Sequence, residues 1–118
     1  MSRTVLIIDN DDALCQNIQA VLMADGYEVY VAYDGASALN IIPLHPPDLI
    51  FLAAQMQGMD GLAFLRYYEQ LPGSYAPVIV MSAKDDTLSR ALVLHSQGFL
   101  AKPFARDKLV KLTRQFLH

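Results

Sequence analysis

Apolar residues fall into two alternating patterns along this chain. Residues 5–8 (Val-Leu-Ile-Ile), 49–52 (Leu-Ile-Phe-Leu) and 78–81 (Val-Ile-Val-Met) are short, uninterrupted apolar runs. Runs of this length, rich in branched side chains, predict strands buried on both faces. Between them the spacing changes to that of helices. Leu14, Ile18, Val21 and Leu22 form one apolar stripe, opened by Asp11 or Asp12 as a cap and closed by Gly26. Residues 27–32 alternate loosely and predict a second strand. Asp34-Gly35 opens a shorter helix with Ala38, Leu39 and Ile42 inward. It cannot continue through Pro43-Leu44-His45-Pro46-Pro47, because proline disfavours helix at the preceding residue. After a glycine-containing loop at 55–61, Leu62, Leu65 and Tyr68 give a third helix, and Pro72-Gly73 ends that unit. Lys84-Asp85-Asp86 leads into a fourth helix carrying Leu88 and Leu92, with His95 near its end. A short fifth strand at 99–101 precedes a last helix with Leu109, Leu112 and Phe116 on one face.

Five strand–helix units with short connections imply an α/β fold, a parallel sheet with helices on both faces. Right-handed crossovers leave few topologies, and the doubly wound, flavodoxin-like order 2-1-3-4-5 is expected. One domain over residues 1–118 accommodates all five units. In such folds functional residues collect at the carboxyl ends of the strands. Here those ends supply Asp9-Asn10-Asp11, Ala53-Ala54, Ser82-Ala83 and Lys102-Pro103.

Composition narrows the classes. A hydrophobic content of 53% with 18% charged residues supports a real core. The net charge of −3 gives no bulk attraction for nucleic acid, so direct binding to it is not expected. No apolar stretch is long enough to span a bilayer, and the opening Met-Ser-Arg-Thr enters a strand without a leader-like segment. Cys15 is the single cysteine; it cannot form an internal disulfide and is expected as a small buried helix residue. A cytoplasmic setting fits. His45, His95 and His118 are too scattered for a metal site, and His45 is expected to be solvated. Tyr67, Tyr68 and Tyr75 read as core edge and surface.

Four motifs then carry a resemblance. Leu6-Ile7-Ile8-Asp9-Asn10-Asp11-Asp12, Gly58-Met59-Asp60-Gly61, Val80-Met81-Ser82-Ala83 and Lys102-Pro103-Phe104 occur in order across the whole chain. Together they resemble the CheY-like receiver domains of response regulators. The resemblance implies a signalling module of a two-component phosphorelay rather than an enzyme. It also implies roles. In that family an acidic pair after the first strand helps hold Mg²⁺, and an aspartate ending the third strand accepts a phosphoryl group from a histidine kinase. A Ser or Thr ending the fourth strand contacts that group, a lysine ending the fifth neutralises charge, and an aromatic residue in the fifth switches rotamer. By position these are Asp9 and Asn10, residue 53, Ser82, Lys102 and Phe99.

Residue 53 is alanine, and its neighbours Leu52 and Ala54 offer no carboxylate in another register. Alanine has no nucleophile, so no phosphoaspartate can form there. Mg²⁺ prefers near-octahedral oxygen ligands. With Ala53 and Asn10 in the site, only Asp9 and Asp11 remain as weak candidates, and no cofactor is expected beyond weakly bound Mg²⁺. Lys102, lacking its usual partner, is expected to turn to Asp9; the alternative is an exposed lysine. Ser82 reads equally as a cap of the following helix. Asp11, Asp12, Asp85 and Asp86 read as caps and turn residues, Asp60 as a loop-shaping residue and remote substitute acceptor. Phe99, lacking a tyrosine hydroxyl, is expected to be buried. Gln57 and the segment His95-Ser96-Gln97-Gly98 also depart from the family pattern, which favours natural degeneracy over an introduced alanine.

The leading expectation is a phosphorylation-independent module acting through protein contacts. The resemblance implies a face made by the fourth helix, fifth strand and fifth helix, meeting a histidine kinase, a regulator, an output domain or a second copy. The alternatives are a conventional Mg²⁺-dependent receiver with an introduced Ala53 or a substitute acceptor, and a flavodoxin-like cofactor protein. The last is disfavoured because the acidic, glycine-free loop at 9–12 repels phosphate.

Overall fold

The computed structural model describes residues 3–73 and 76–117. Tyr75 and His118 lie outside the described residues, as do Met1 and Ser2. Strands and helices alternate as β1 (Thr4–Ile8), α1 (Asp12–Ala24), β2 (Glu28–Ala32), α2 (Gly35–Ile41), β3 (Leu49–Ala53), α3 (Gly61–Glu69), β4 (Val78–Ser82), α4 (Thr87–Leu94), β5 (Gly98–Ala101) and α5 (Arg106–Phe116). The strands pair in parallel in the order β2-β1-β3-β4-β5, as the alternation predicted.

Period-two alternation divides the apolar runs between two cores. Leu6, Ile8, Ile50, Leu52 and Val80 face Ala38, Phe64, Leu65 and Leu92 of α2, α3 and α4. Val5, Ile7, Leu49, Phe51, Ile79 and Met81 face Cys15, Ile18, Leu22 and Leu109 of α1 and α5. Both faces of the central strands are therefore dry, which is why residues 5–8, 49–52 and 78–81 include no polar side chain. In α3 the inward face is set by Phe64, Leu65 and Tyr68, while Leu62 is only partly buried. Phe64 is absent from the predicted stripe although it is fully buried. In α4, Leu92 is buried, Leu88 is partly covered, and His95 is the exposed C-cap. Tyr27 precedes β2 rather than starting it.

The loops at the carboxyl edge of the sheet are fixed by aspartate caps. Asp11, Asp34, Asp60 and Asp86 each accept the backbone N–H of the third following residue: Leu14 at 3.1 Å, Ser37 at 2.7 Å, Ala63 at 2.8 Å and Ser89 at 2.9 Å. A carboxylate there satisfies an orphan donor and complements the helix dipole. Gly61 brings α3 flush against the sheet. A Cβ at that position would lie 2.7 Å from the Ala53 carbonyl oxygen and 2.8 Å from Leu92 Cδ2.

The N–H donors of Ser37 and Ser89 hold the Asp34 and Asp86 carboxyls below the usual carboxylate range. A carboxylate depressed in the folded state contributes stability that is complete above its unfolded value, about pH 4. That contribution is lost as pH falls through the folded value. Urea midpoints are therefore expected to drop below roughly pH 4. Asp86→Asn keeps a capping oxygen, so it is expected to flatten the acid limb relative to the parent chain.

Candidate functional site

The site is built where β1, β3, β4 and β5 end side by side. Ile8 lies opposite Leu52, Ala53 opposite Met81, and Ser82 opposite Ala101. This register brings Asp9, Ala53, Ser82 and Lys102 around one cavity of about 200 Å³, which Asn10 and Asp11 also line.

Asp9 is 1% exposed. Its Oδ2 accepts from Lys102 Nζ at 2.6 Å, and its Oδ1 accepts from the Asp11 N–H at 3.0 Å. Lys102 has therefore turned to Asp9. A buried carboxylate needs such partners, since an uncompensated buried charge costs several kcal/mol. Ala53 presents only a methyl group beside this pair. It is 1% exposed and part of the wall, not of the hydrogen-bond network.

Ser82 is buried at the cavity wall. Its Oγ donates to the Lys84 carbonyl at 2.9 Å, accepts from the Lys84 N–H at 3.1 Å, and lies 2.8 Å from Ser89 Oγ. A hydroxyl offers one proton and two lone pairs. These contacts use its capacity fully, with Ser89 as donor. The alternative of Ser82 capping α4 is corrected: Asp86 fills that position. Gln55 also donates to Asp86, tying the loop after β3 to the start of α4. Sequence reasoning missed both Ser89 and Gln55. For Ser89 a signal existed, because it stands three residues before Leu92 on the inward face of α4. For Gln55 nothing local marks the contact.

The oxygen donors do not form a Mg²⁺ cradle as they stand. Both Asp9 oxygens are engaged, one Asp11 oxygen caps α1, and Ala53 contributes no side-chain ligand. Among the described residues no cluster of three or more His, Cys, Asp or Glu side chains is arranged for a metal. Asp12 accepts from Gln16 and from the Tyr33 hydroxyl at 2.9 Å, and Asp85 pairs with Arg90 at 2.8 Å on the surface. Asp60 caps α3.

Phe99 departs from expectation: it is 42% exposed. Its register partner Val80 faces the α4 side of the sheet, but α4 stops at Leu94 and leaves this outward face of the edge strand open. Phe99, Val93, Leu94 and Ala101 line an open groove of about 590 Å³ between α4 and β5. His45 is exposed, as expected, and its ring also stacks on Tyr30 with centroids 4.2 Å apart. Two apolar ring faces on neighbouring surface segments reduce their exposed area in this way.

Cys15 sits below the site, fully buried, its Sγ donating to the Asp9 carbonyl at 3.3 Å. Burial, reinforced by the negative charge of Asp9, pushes its thiol up to about 12. The thiolate is the reactive form. Iodoacetamide at pH 8 is expected to leave the native chain unlabelled and to alkylate it fully in denaturing urea, as read by intact mass.

A five-stranded parallel sheet with an aspartate, a hydroxyl and a lysine gathered at its carboxyl edge defines a receiver-type signalling domain. The chain belongs to the response regulator receiver domain family, whose sequence profile matches residues 5–114. The response regulator MprA of Mycobacterium bovis is 33% identical over 99% of this chain, which spans 51% of that relative. The chain thus covers about half the length of the curated relatives it matches. Among solved structures, the receiver domain of Francisella response regulator 1452 is 30% identical with a TM-score of 0.85, covering 98% of this chain and 96% of that one. The receiver domain of NtrX from Brucella abortus is 29% identical with a TM-score of 0.84, covering 96% and 97%. No helix among the described residues is long and apolar enough to cross a membrane.

Proposed function

We propose that this domain is a receiver module that signals without phosphorylation at the usual position, through contacts with other proteins. The observation that carries the reading is Ala53 at the end of β3, with Lys102 bonded to Asp9 beside it. The pocket keeps the fold's geometry but has no nucleophile at the end of β3, and its Asp9 carboxylate is held by Lys102 and the Asp11 N–H. Its charges are already internally matched, so no incoming anion is needed to satisfy Lys102. Mg²⁺ binds weakly at most, through Asp9 and Asp11, and the module is not an enzyme. Its setting is cytoplasmic, its partner is a histidine kinase, a regulator or an output domain, and it makes no direct nucleic-acid contact. Phe99, at the family's switch position, is already held outward in the α4–β5 groove.

Incubation of the chain with acetyl phosphate and Mg²⁺ tests this by intact mass. No phosphoryl adduct is expected. A stable, Mg²⁺-dependent adduct would sink the reading, and peptide mapping to Asp60 or Asp9 would identify a substitute acceptor.

A further inference from the structure

Ser82, Ala83, Lys84 and Lys102 line two spaces at once: the cavity beside Ala53 and the open groove of about 590 Å³ between α4 and β5. From this shared wall, near the start of α4, the groove runs to Leu94 at the helix end. Its sides are apolar: Leu94 is 82% exposed, Phe99 42% and Val93 38%, and Ala101 continues them. Isolated exposed apolar residues need no explanation, but contiguous ones in a concavity of this volume mark a ligand site. The charged groups of the lining are Lys84, Asp85, Arg90 and Lys102. Asp85 and Arg90 match each other, Nε at 2.8 Å and Nη2 at 3.0 Å from the two carboxylate oxygens. Asp9 already accepts from Lys102 and the Asp11 N–H, and Asp86 from the Ser89 N–H and Gln55. The two lysines are less fully used. Lys102 Nζ has three N–H donors and gives one to Asp9. Lys84 forms no ion pair among the described residues.

We infer that this groove binds a small organic acid, its apolar body against Val93 and Phe99 and its carboxylate on Lys84 and the spare N–H donors of Lys102. The lining selects that chemistry. Its carboxylate oxygens are engaged while ammonium donors remain, so the complementary head is an acceptor, and an ionised one makes the stronger bond. An amine would face Lys84 and Lys102 with its own sign. A bare anion would leave the apolar sides uncovered. The dimensions favour a small molecule. The volume lies within the range of small-ligand pockets, and α4, with eight residues, is only about 12 Å long. The polar anchors also sit at the inner end, where the Lys102 side chain is 24% exposed and Ser82 6%. A slender acid reaches them there, whereas a helix laid across the rim covers only Leu94 and Phe99. The site uses neither Ala53 nor a metal, so it stands whether or not the chain is phosphorylated. An acid held there touches the wall of the cavity beside Ala53 without any covalent step, and this makes the domain a receiver of a chemical signal as well as a protein contact.

Phenylbutyrate, phenylbutanol and phenylbutylamine test this, since they share one apolar body and differ in the head. Each is titrated into the ¹⁵N-labelled chain and followed by amide shifts. The acid is expected to move Lys84, Val93, Phe99 and Ala101, and to bind at least about tenfold more tightly than the alcohol, with the amine weakest. Lys84→Met, at an exposed position, is expected to remove most of that preference while leaving the alcohol's affinity unchanged. Phe99→Ala, also on an exposed side chain, is expected to weaken the acid and the alcohol alike. Equal binding of the three compounds, shifts centred elsewhere, a preference that survives Lys84→Met in full, or no binding of the acid overturns the inference. So does acetate alone if it reproduces the shifts, because the groove then plays no part. Movement of the same amides when the free chain is concentrated also overturns it, since a second copy then fills the groove.

Discussion

The Ala53→Asp variant is expected to take up a phosphoryl group from acetyl phosphate in the presence of Mg²⁺, where the parent chain takes none. The position ends β3 and lines the cavity shared with Asp9 and Lys102. A carboxylate there supplies the nucleophile and brings a second acid beside Asp9, which are the oxygen donors a Mg²⁺ site requires. Lys102 can then bridge two carboxylates instead of one. The substitution is expected to lower stability in EDTA, by about 1–3 kcal/mol, because it adds a buried charge next to an existing one. Mg²⁺ is expected to restore part of that loss by binding the folded state. Intact mass reads the adduct and urea midpoints read the stability, each with and without metal. Ala53→Asn, similar in size but without a nucleophile, should give no adduct. Failure of Ala53→Asp to react would mean that Asn10 and the Ser82 hydroxyl, already bonded to Lys84 and Ser89, disable the pocket as well.

The fold was legible because its strands are buried on both faces. Residues 5–8, 49–52 and 78–81 have no polar positions, and such runs between helical stripes leave little topological choice. The Lys102–Asp9 contact was legible for a related reason: the strand ends meet at one edge, and a buried charge needs a partner. What was not legible depended on lengths and surface neighbours. The exposure of Phe99 is fixed by where α4 stops, after only eight residues, and not by the residue's own hydrophobicity. The ties of Ser82 to Ser89 and of Gln55 to Asp86 join segments whose separation in space no local pattern encodes. The stacking of His45 on Tyr30 likewise joins two surface segments remote in sequence. Consequently the sequence located the pocket and its missing acid, while the open groove emerged only with the three-dimensional arrangement.

The Asp9–Lys102 pair makes the second large prediction, because its two members are buried unequally. The Asp9 side chain is 2% exposed and that of Lys102 24%. Removing the lysine charge with Lys102→Met strands a carboxylate that cannot reach water, with only the Asp11 N–H left to it. A destabilisation of about 3 kcal/mol is expected, the lower end for one partner lost from a buried pair, since the lysine itself is partly solvated. Removing the acid is different. In Asp9→Asn the amide oxygen still accepts from Asp11, and Lys102 can extend through the open cavity into solvent. A loss of about 1 kcal/mol is expected there. The double variant Asp9→Asn with Lys102→Met strands no charge and should lose less than the two single variants together. Urea unfolding of the four proteins measures these values through their midpoints, provided the slopes agree. Equal losses from both single variants, or simple additivity in the double, would show that the pair is a surface contact with no hold on the site. The expected asymmetry would instead make Lys102 the residue that permits an unphosphorylated pocket to keep its buried aspartate.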